Sequence, residues 1–259
     1  GVSFCLPYGC IMGLIGENGA GKTTTIKLIL DLIKKNGGSV HMLGEDCGRV
    51  KEYIGVVLEE SIFPENLAAG HVNLVLKNIY QTWDEEKFHS LARRFDLPLK
   101  KSIQDYSHGM KTKLALAVAL SHASRLLILD EPTSGLDPVV REEILDIFME
   151  FIQDEGRSVL MSTHIVSDLE KAADYITFLH QGKILLSQEK DALLDSFALL
   201  KCSPEDLAAI DPAAVRGVRK NAFGVEALVL RDLVKGDYLL DPASLEAIML
   251  YHIKKERLS

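Results

Sequence analysis

The stretch Gly16-Glu17-Asn18-Gly19-Ala20-Gly21-Lys22-Thr23-Thr24 carries the spacing of a phosphate-binding loop, G-x-x-x-x-G-K-[ST]. Small residues let backbone N–H groups converge on a polyphosphate, and a helix that begins at the loop's end adds a positive partial charge. In such a loop Lys22 reaches the β- and γ-phosphates, and the Thr23 hydroxyl coordinates Mg²⁺. The chemistry implied is the binding of a nucleoside triphosphate as its magnesium complex.

Such a loop needs a strand before it and a helix after it. The apolar run 11–15 reads as a buried strand. Ile26, Ile29, Leu30 and Ile33 form one helical stripe, with Lys34 and Lys35 at its negative end and Asn36-Gly37 as the stop. Residues 2–5 and 10–15 read as a hairpin that feeds the loop, and 39–43 and 53–58 as further strands. From Pro64 the pattern turns helical, with Val72, Val75, Leu76 and Ile79 on one stripe and Phe88, Leu91, Ala92 and Phe95 on another. Nothing in 67–104 looks catalytic, and both stripes read as packing, with a partner-docking face as the alternative. Ser107 suits the N-cap of a helix running to about His122. The apolar strand 126–129 then delivers Asp130-Glu131-Pro132. Asp137-Pro138 reads as the N-cap and first residue of a helix with the stripe Ile144, Ile147, Phe148 and Phe151. A strand over 158–161 leads into Ser162-Thr163-His164. Alternating strands and helices predict a mostly parallel sheet with helices packed on it.

Composition narrows the function classes. Lys and Arg total 29 against 37 Asp and Glu, a net charge of −8, which argues against a nucleic-acid-binding surface. No apolar run approaches the roughly 20 residues of a membrane span. Cys5, Cys10, Cys47 and Cys202 show neither a CxxC pair nor metal spacing, and read as buried, reduced thiols. Cys5 and Cys10 flank the turn Pro7-Tyr8-Gly9 and could alternatively face each other. The chain opens on Gly1, directly in an apolar segment, which predicts that further residues precede it.

Taken in order, these motifs resemble the nucleotide-binding subunit of ATP-binding cassette (ABC) transporters, over roughly residues 2–187. The phosphate loop is similar to that family's Walker A, and 126–131 to its Walker B. Residues 107–110 resemble the signature, 134–137 the D-loop, and His164 the switch histidine. The resemblance implies that Asp130 holds Mg²⁺ directly or through water, and that Glu131 polarises the attacking water. It implies that His164 hydrogen-bonds the γ-phosphate and senses its loss. It also implies a head-to-tail pair of subunits, so that Ser107 and Gly109 of one chain, with Asp137 nearby, meet ATP held by residues 16–24 of the other. The family's Q-loop glutamine aligns with Glu59, which could bind Mg²⁺. Two departures stand out. Tyr106, His108 and Met110 replace three residues of Leu-Ser-Gly-Gly-Gln, and the aromatic residue that stacks on adenine falls upstream of Gly1.

The expected fold class is α/β. It comprises a P-loop NTPase core with a mostly parallel sheet, an N-terminal antiparallel β portion, a helical insertion and a small α+β C-terminal appendage. The expected division is an ABC-type ATP-binding domain over 1–190, with its insertion at about 64–123, and the appendage over 191–259. In the appendage, 227–230 suits a strand and 243–255 a last helix. The expected function is an ATP-hydrolysing subunit with ATP and Mg²⁺ as cofactors. Its expected partners are a second ATP-binding subunit, identical or related, and a separately encoded transmembrane permease, in an exporter, with no nucleic acid. Its expected place is the cytoplasmic face of the membrane. Two alternatives stay open: a soluble ABC ATPase acting on ribosomes or DNA, and a regulatory module that binds ATP with little turnover.

Overall fold

Strand β1 (Ile11–Ile15) is buried along its whole length, with a parallel strand on each edge and its side chains in the cores on both faces of the sheet. That placement follows from its unbroken apolar sequence, which suits a strand covered on both faces. The computed structural model describes residues 1–60, 63–221 and 224–256. After β1 come α1 (Lys22–Ile29), the short ladder β2 (His41–Met42) with β3 (Glu45–Asp46), α2 (Cys47–Val50) and β4 (Ile54–Val57). Helices α3 (Ala69–Leu76), α4 (Glu85–Arg94) and α5 (His108–Leu120) follow, then β5 (Leu126–Asp130), α6 (Pro138–Phe151), β6 (Ser158–Thr163) and α7 (Val166–Ala172). The hairpin β7 (Tyr175–His180) and β8 (Lys183–Glu189) completes a sheet of order β4-β5-β6-β1-β7-β8, antiparallel only at β8. One face of this sheet packs Leu127, Leu129, Met161 and Phe178 against Phe148 and Leu169, and the other packs Met12, Leu14 and Ile128 against Ile26.

The remaining chain forms α8 (Lys190–Ser196), β9 (Phe197–Cys202), α9 (Pro204–Ala209), β10 (Val215–Asn221), β11 (Gly224–Leu230), β12 (Leu240–Pro242) and α10 (Leu245–Glu256). Its strands make a second, antiparallel sheet of order β10-β11-β9-β12. Leu245, Ile248 and Met249 of α10 join the main core, whereas Ala198, Leu200, Ala227 and Val229 build a cluster of their own on the sheet's other face. The α/β class, the helical segment after Pro64 and the α+β C-terminal stretch match the sequence reading.

Several local expectations need correction. Residues 2–5 form no strand, so the anticipated hairpin is absent; β1 pairs with β6 and β7 instead. The anticipated strand 39–43 shrinks to β2. Helix α1 ends at Ile29, well before Asn36. Asp31 takes φ 57°, Leu32 N–H donates to the Lys27 carbonyl at 2.9 Å, and Asp31 N–H to the Leu28 carbonyl at 3.2 Å. This is a Schellman closure with aspartate in the left-handed position. Ile33 is therefore exposed, and Lys34 and Lys35 do not sit on the helix end. On α3, Val72 is buried, but Leu74, Val75 and, just beyond it, Ile79 face outward. Cys5 is exposed, Cys10 and Cys202 are half-buried, and all three are free thiols; the Cys47 side chain lies outside the described residues.

A cluster around the buried His122 joins the helical segment to the sheet. His122, past the end of α5, stacks on Tyr80 at 4.2 Å, and its Nδ1 lies 2.9 Å from the Glu52 carbonyl. Glu52 Oε1 accepts both the Thr82 N–H and hydroxyl at 2.8 Å. Burial lowers the His122 pKa below 6.5, against the opposing pull of Glu52. Once pH drops below about 6.5 the unfolded chain takes up a proton that the folded chain resists, so stability contributed by neutral His122 is lost as pH falls. Urea unfolding at pH 7.5 and 5.5 should show a smaller acid-induced loss in His122→Gln than in the unmodified chain. Equal losses would dismiss this assignment.

Candidate functional site

The loop between β1 and α1 is shaped by two glycines with positive φ, Gly19 at 81° and Gly21 at 107°. A β-carbon on Gly16 would lie 2.3 Å from the Leu179 carbonyl oxygen, so the loop's entry tolerates no side chain. Gly16 and Ala20 are buried, Glu17, Asn18 and Gly19 are exposed, and Thr23 and Thr24 open α1, half-buried and exposed respectively. Lys22 is only 5% exposed, and its Nζ donates to the Gly16 carbonyl at 2.9 Å. His180, buried behind the loop, approaches Glu17 at 3.8 Å.

The parallel sheet brings the carboxyl ends of β5 and β6 to the same edge. Lys22 Nζ lies 3.1 Å from Glu131 Oε1, and the His164 Nδ1 donates to Glu131 Oε2 at 2.8 Å. The His164 side chain is 43% exposed, so this chain of contacts runs from a buried cation to the surface. Asp130, at the end of β5, accepts the Ser162 hydroxyl at 2.5 Å. The Glu131 N–H donates to the Ser162 carbonyl and hydroxyl, each at 3.1 Å. Those bonds hold Glu131 at φ 50°, a left-handed conformation that a non-glycine residue adopts only under constraint. Ser162 was missed in the sequence; its signal is a hydroxyl two residues before His164, near the end of a fully buried strand.

Ser107, Gly109 and Asp137 gather at another place. Ser107 caps α5 by accepting the Met110 N–H at 3.2 Å, and Asp137 caps α6 by accepting from Val139 and Val140 at 3.1 Å. His108 Nε2 donates to the Ser134 carbonyl at 3.0 Å, which ties the two helix starts together. Glu59 is exposed past the end of β4. Thr23 and Asp130 supply hard oxygen donors of the kind Mg²⁺ takes alongside phosphate oxygens. Among the described residues no group of three or more His, Cys, Asp or Glu could hold a metal by itself.

The family model described as ABC transporter matches residues 1–134. The lantibiotic transport ATP-binding protein SrtF of Streptococcus pyogenes is 36% identical over 193 residues, 73% of this chain and 83% of its own. The bacitracin transport ATP-binding protein BcrA of Bacillus licheniformis is 36% identical over 183 residues, 68% of this chain and 60% of its own. Among solved structures, an ATP-binding subunit of an ABC transporter superposes with a TM-score of 0.68 at 29% identity, covering 74% of this chain and 83% of its own. The ATP-binding cassette MJ0796, in a post-hydrolysis state with ADP and Pi, shares the fold with a TM-score of 0.65 at 21% identity, covering 73% of this chain and 88% of its own. The chain belongs to the ABC transporter family, as one of its ATP-binding subunits, and is an ATPase.

Removing one partner of a buried ion pair leaves the other charge uncompensated. Lys22→Met should therefore destabilise the nucleotide-free protein by roughly 1–3 kcal/mol, and adding Glu131→Gln should recover much of that loss. Urea denaturation of the two variants checks it; additive losses would mean that the Lys22–Glu131 contact carries no coupling.

Proposed function

We propose that two copies of this chain, or this chain and a close relative, close head to tail around ATP and drive a separate transmembrane permease. In each site residues 16–24 of one chain cradle the phosphates, with Lys22 on the β- and γ-phosphates. Thr23 and Asp130, with Glu59 near the triphosphate, would hold Mg²⁺, which neutralises phosphate charge when bound. Glu131 accepts the proton of the attacking water, a role in general worth about 10²–10⁴-fold in rate. His164 orients Glu131 through Nδ1 and presents the rest of its ring to the γ-phosphate. Ser107 and Gly109 of the opposite chain close the site from the other side, beside Asp137.

The observation that carries this reading is the continuous contact from Lys22 through Glu131 to His164. No helix among the described residues is long and apolar enough to cross a membrane, in keeping with a permease on another chain. Leu74, Val75 and Ile79 are exposed together on the helical segment, a surface suited to docking such a partner. The direction we favour is export. The relatives named for lantibiotic and bacitracin transport accord with it. A peripheral position on the cytoplasmic face follows from these roles.

Glu131→Gln keeps the residue's shape and removes the base. It should lower steady-state phosphate release by about 10²-fold or more and let ATP hold the chain as a dimer in size-exclusion chromatography with light scattering. Wild-type turnover in this variant would remove Glu131 as the base.

A further inference from the structure

The chemistry proposed above leaves Asp168 unused, yet this carboxylate is 2% exposed in the first turn of α7. Its Oδ2 accepts the hydroxyl of fully buried Thr133 at 2.6 Å. Its Oδ1 faces Arg141 Nε of α6 at 4.0 Å, and that Nε is buried without a hydrogen-bond partner. Burial raises the Asp168 pKa, while the Thr133 bond and the Arg141 charge pull it back. A buried acid held this way is costly, and an apolar pair of similar volume would fill the space more cheaply.

The position of the contact suggests what that cost secures. Thr133 follows Glu131 in a turn closed by the Ser134 N–H on the Glu131 carbonyl at 3.2 Å. Asp168 lies one helical turn past His164, and the Ile165 N–H donates to the Thr163 hydroxyl at 3.0 Å where the chain leaves β6. Beyond the Ser162 bonds to the Glu131 N–H, side chains join the two segments in front by His164 on Glu131 and behind by Thr133 on Asp168. The backbone of Glu131 is strained, so the aim of its carboxylate depends on whatever holds the turn.

We propose that Asp168 is a positioning residue for ATP hydrolysis, which acts through Thr133 and opposite Arg141 to hold Glu131 and His164 at reacting distance. The proposal rests on Glu131 being the base. It is tested on the full chain by steady-state hydrolysis, with ATP affinity measured separately. Asp168→Ala and Thr133→Val should each lower kcat about 10- to 100-fold with KM and ATP affinity close to wild type. Thr133→Ser should restore kcat, and the double variant should lose little more than the worse single one. If Asp168→Ala does not fold, the Thr133→Val and Thr133→Ser pair decides, because valine keeps the shape of threonine and removes only the hydroxyl. Wild-type kcat in Thr133→Val, losses that multiply in the double variant, or a serine variant no better than valine would overturn the proposal. Glu131→Gln is run alongside. Full turnover there sinks the base assignment, whereas an inactive Glu131→Gln beside a fully active Thr133→Val sinks only the positioning role.

Discussion

A buried ammonium 3.1 Å from a buried carboxylate, Lys22 against Glu131, is the contact around which this structure is arranged. Neither charge is tolerable alone at that depth, so the loop after β1 and the end of β5 must be brought together and kept there. The sheet does this by topology. Strands β1, β5 and β6 run parallel, so their carboxyl ends meet at one edge, and the residues that follow each strand have nowhere else to go. Ser162 then sets the height of Asp130 and Glu131, and His164 closes the contact on its exposed side.

The second group, around the starts of α5 and α6, is organised separately. Its contacts are helix caps and the bond from His108 to the Ser134 carbonyl. It opens toward solvent: Ser107, His108 and Asp137 are all exposed. A site made only of Lys22, Glu131 and His164 has one open side, and a cap-built anion surface has no anion of its own. In the proposed pairing each incomplete half is finished by the other chain's complement. His108, with an imidazole where the family's commonest signature has glycine, then has a use: it locks the signature helix to the 134–137 turn within one chain.

What the sequence made legible is what neighbouring residues decide. The phosphate loop, the caps at Ser107 and Asp137, and the stripe Ile144, Ile147, Phe148 and Phe151 each depend on spacing within a few turns. What it hid depends on distant partners. Residues 2–5 have strand composition, but β1 takes β6 and β7 as neighbours and leaves them no ladder. The apolar pattern through Ile33 continued past the point where Asp31 turned left-handed and closed α1, an ending without the usual glycine. Asp168 and Ser162 gave no motif, because their meaning lies in Thr133 and Asp130, which only the fold sets beside them.

The central claim, that one ATP is shared between two chains, is tested most directly by mixing two inactive variants. Lys22→Ala keeps an intact 107–110 segment, and Gly109→Asp keeps an intact phosphate loop. A mixed pair would contain one site with both halves unaltered. The account predicts that the mixture hydrolyses ATP faster than the sum of the two variants assayed alone, with a maximum near equal proportions. Turnover that never exceeds that sum at any ratio, while mixed pairs demonstrably form, would contradict it.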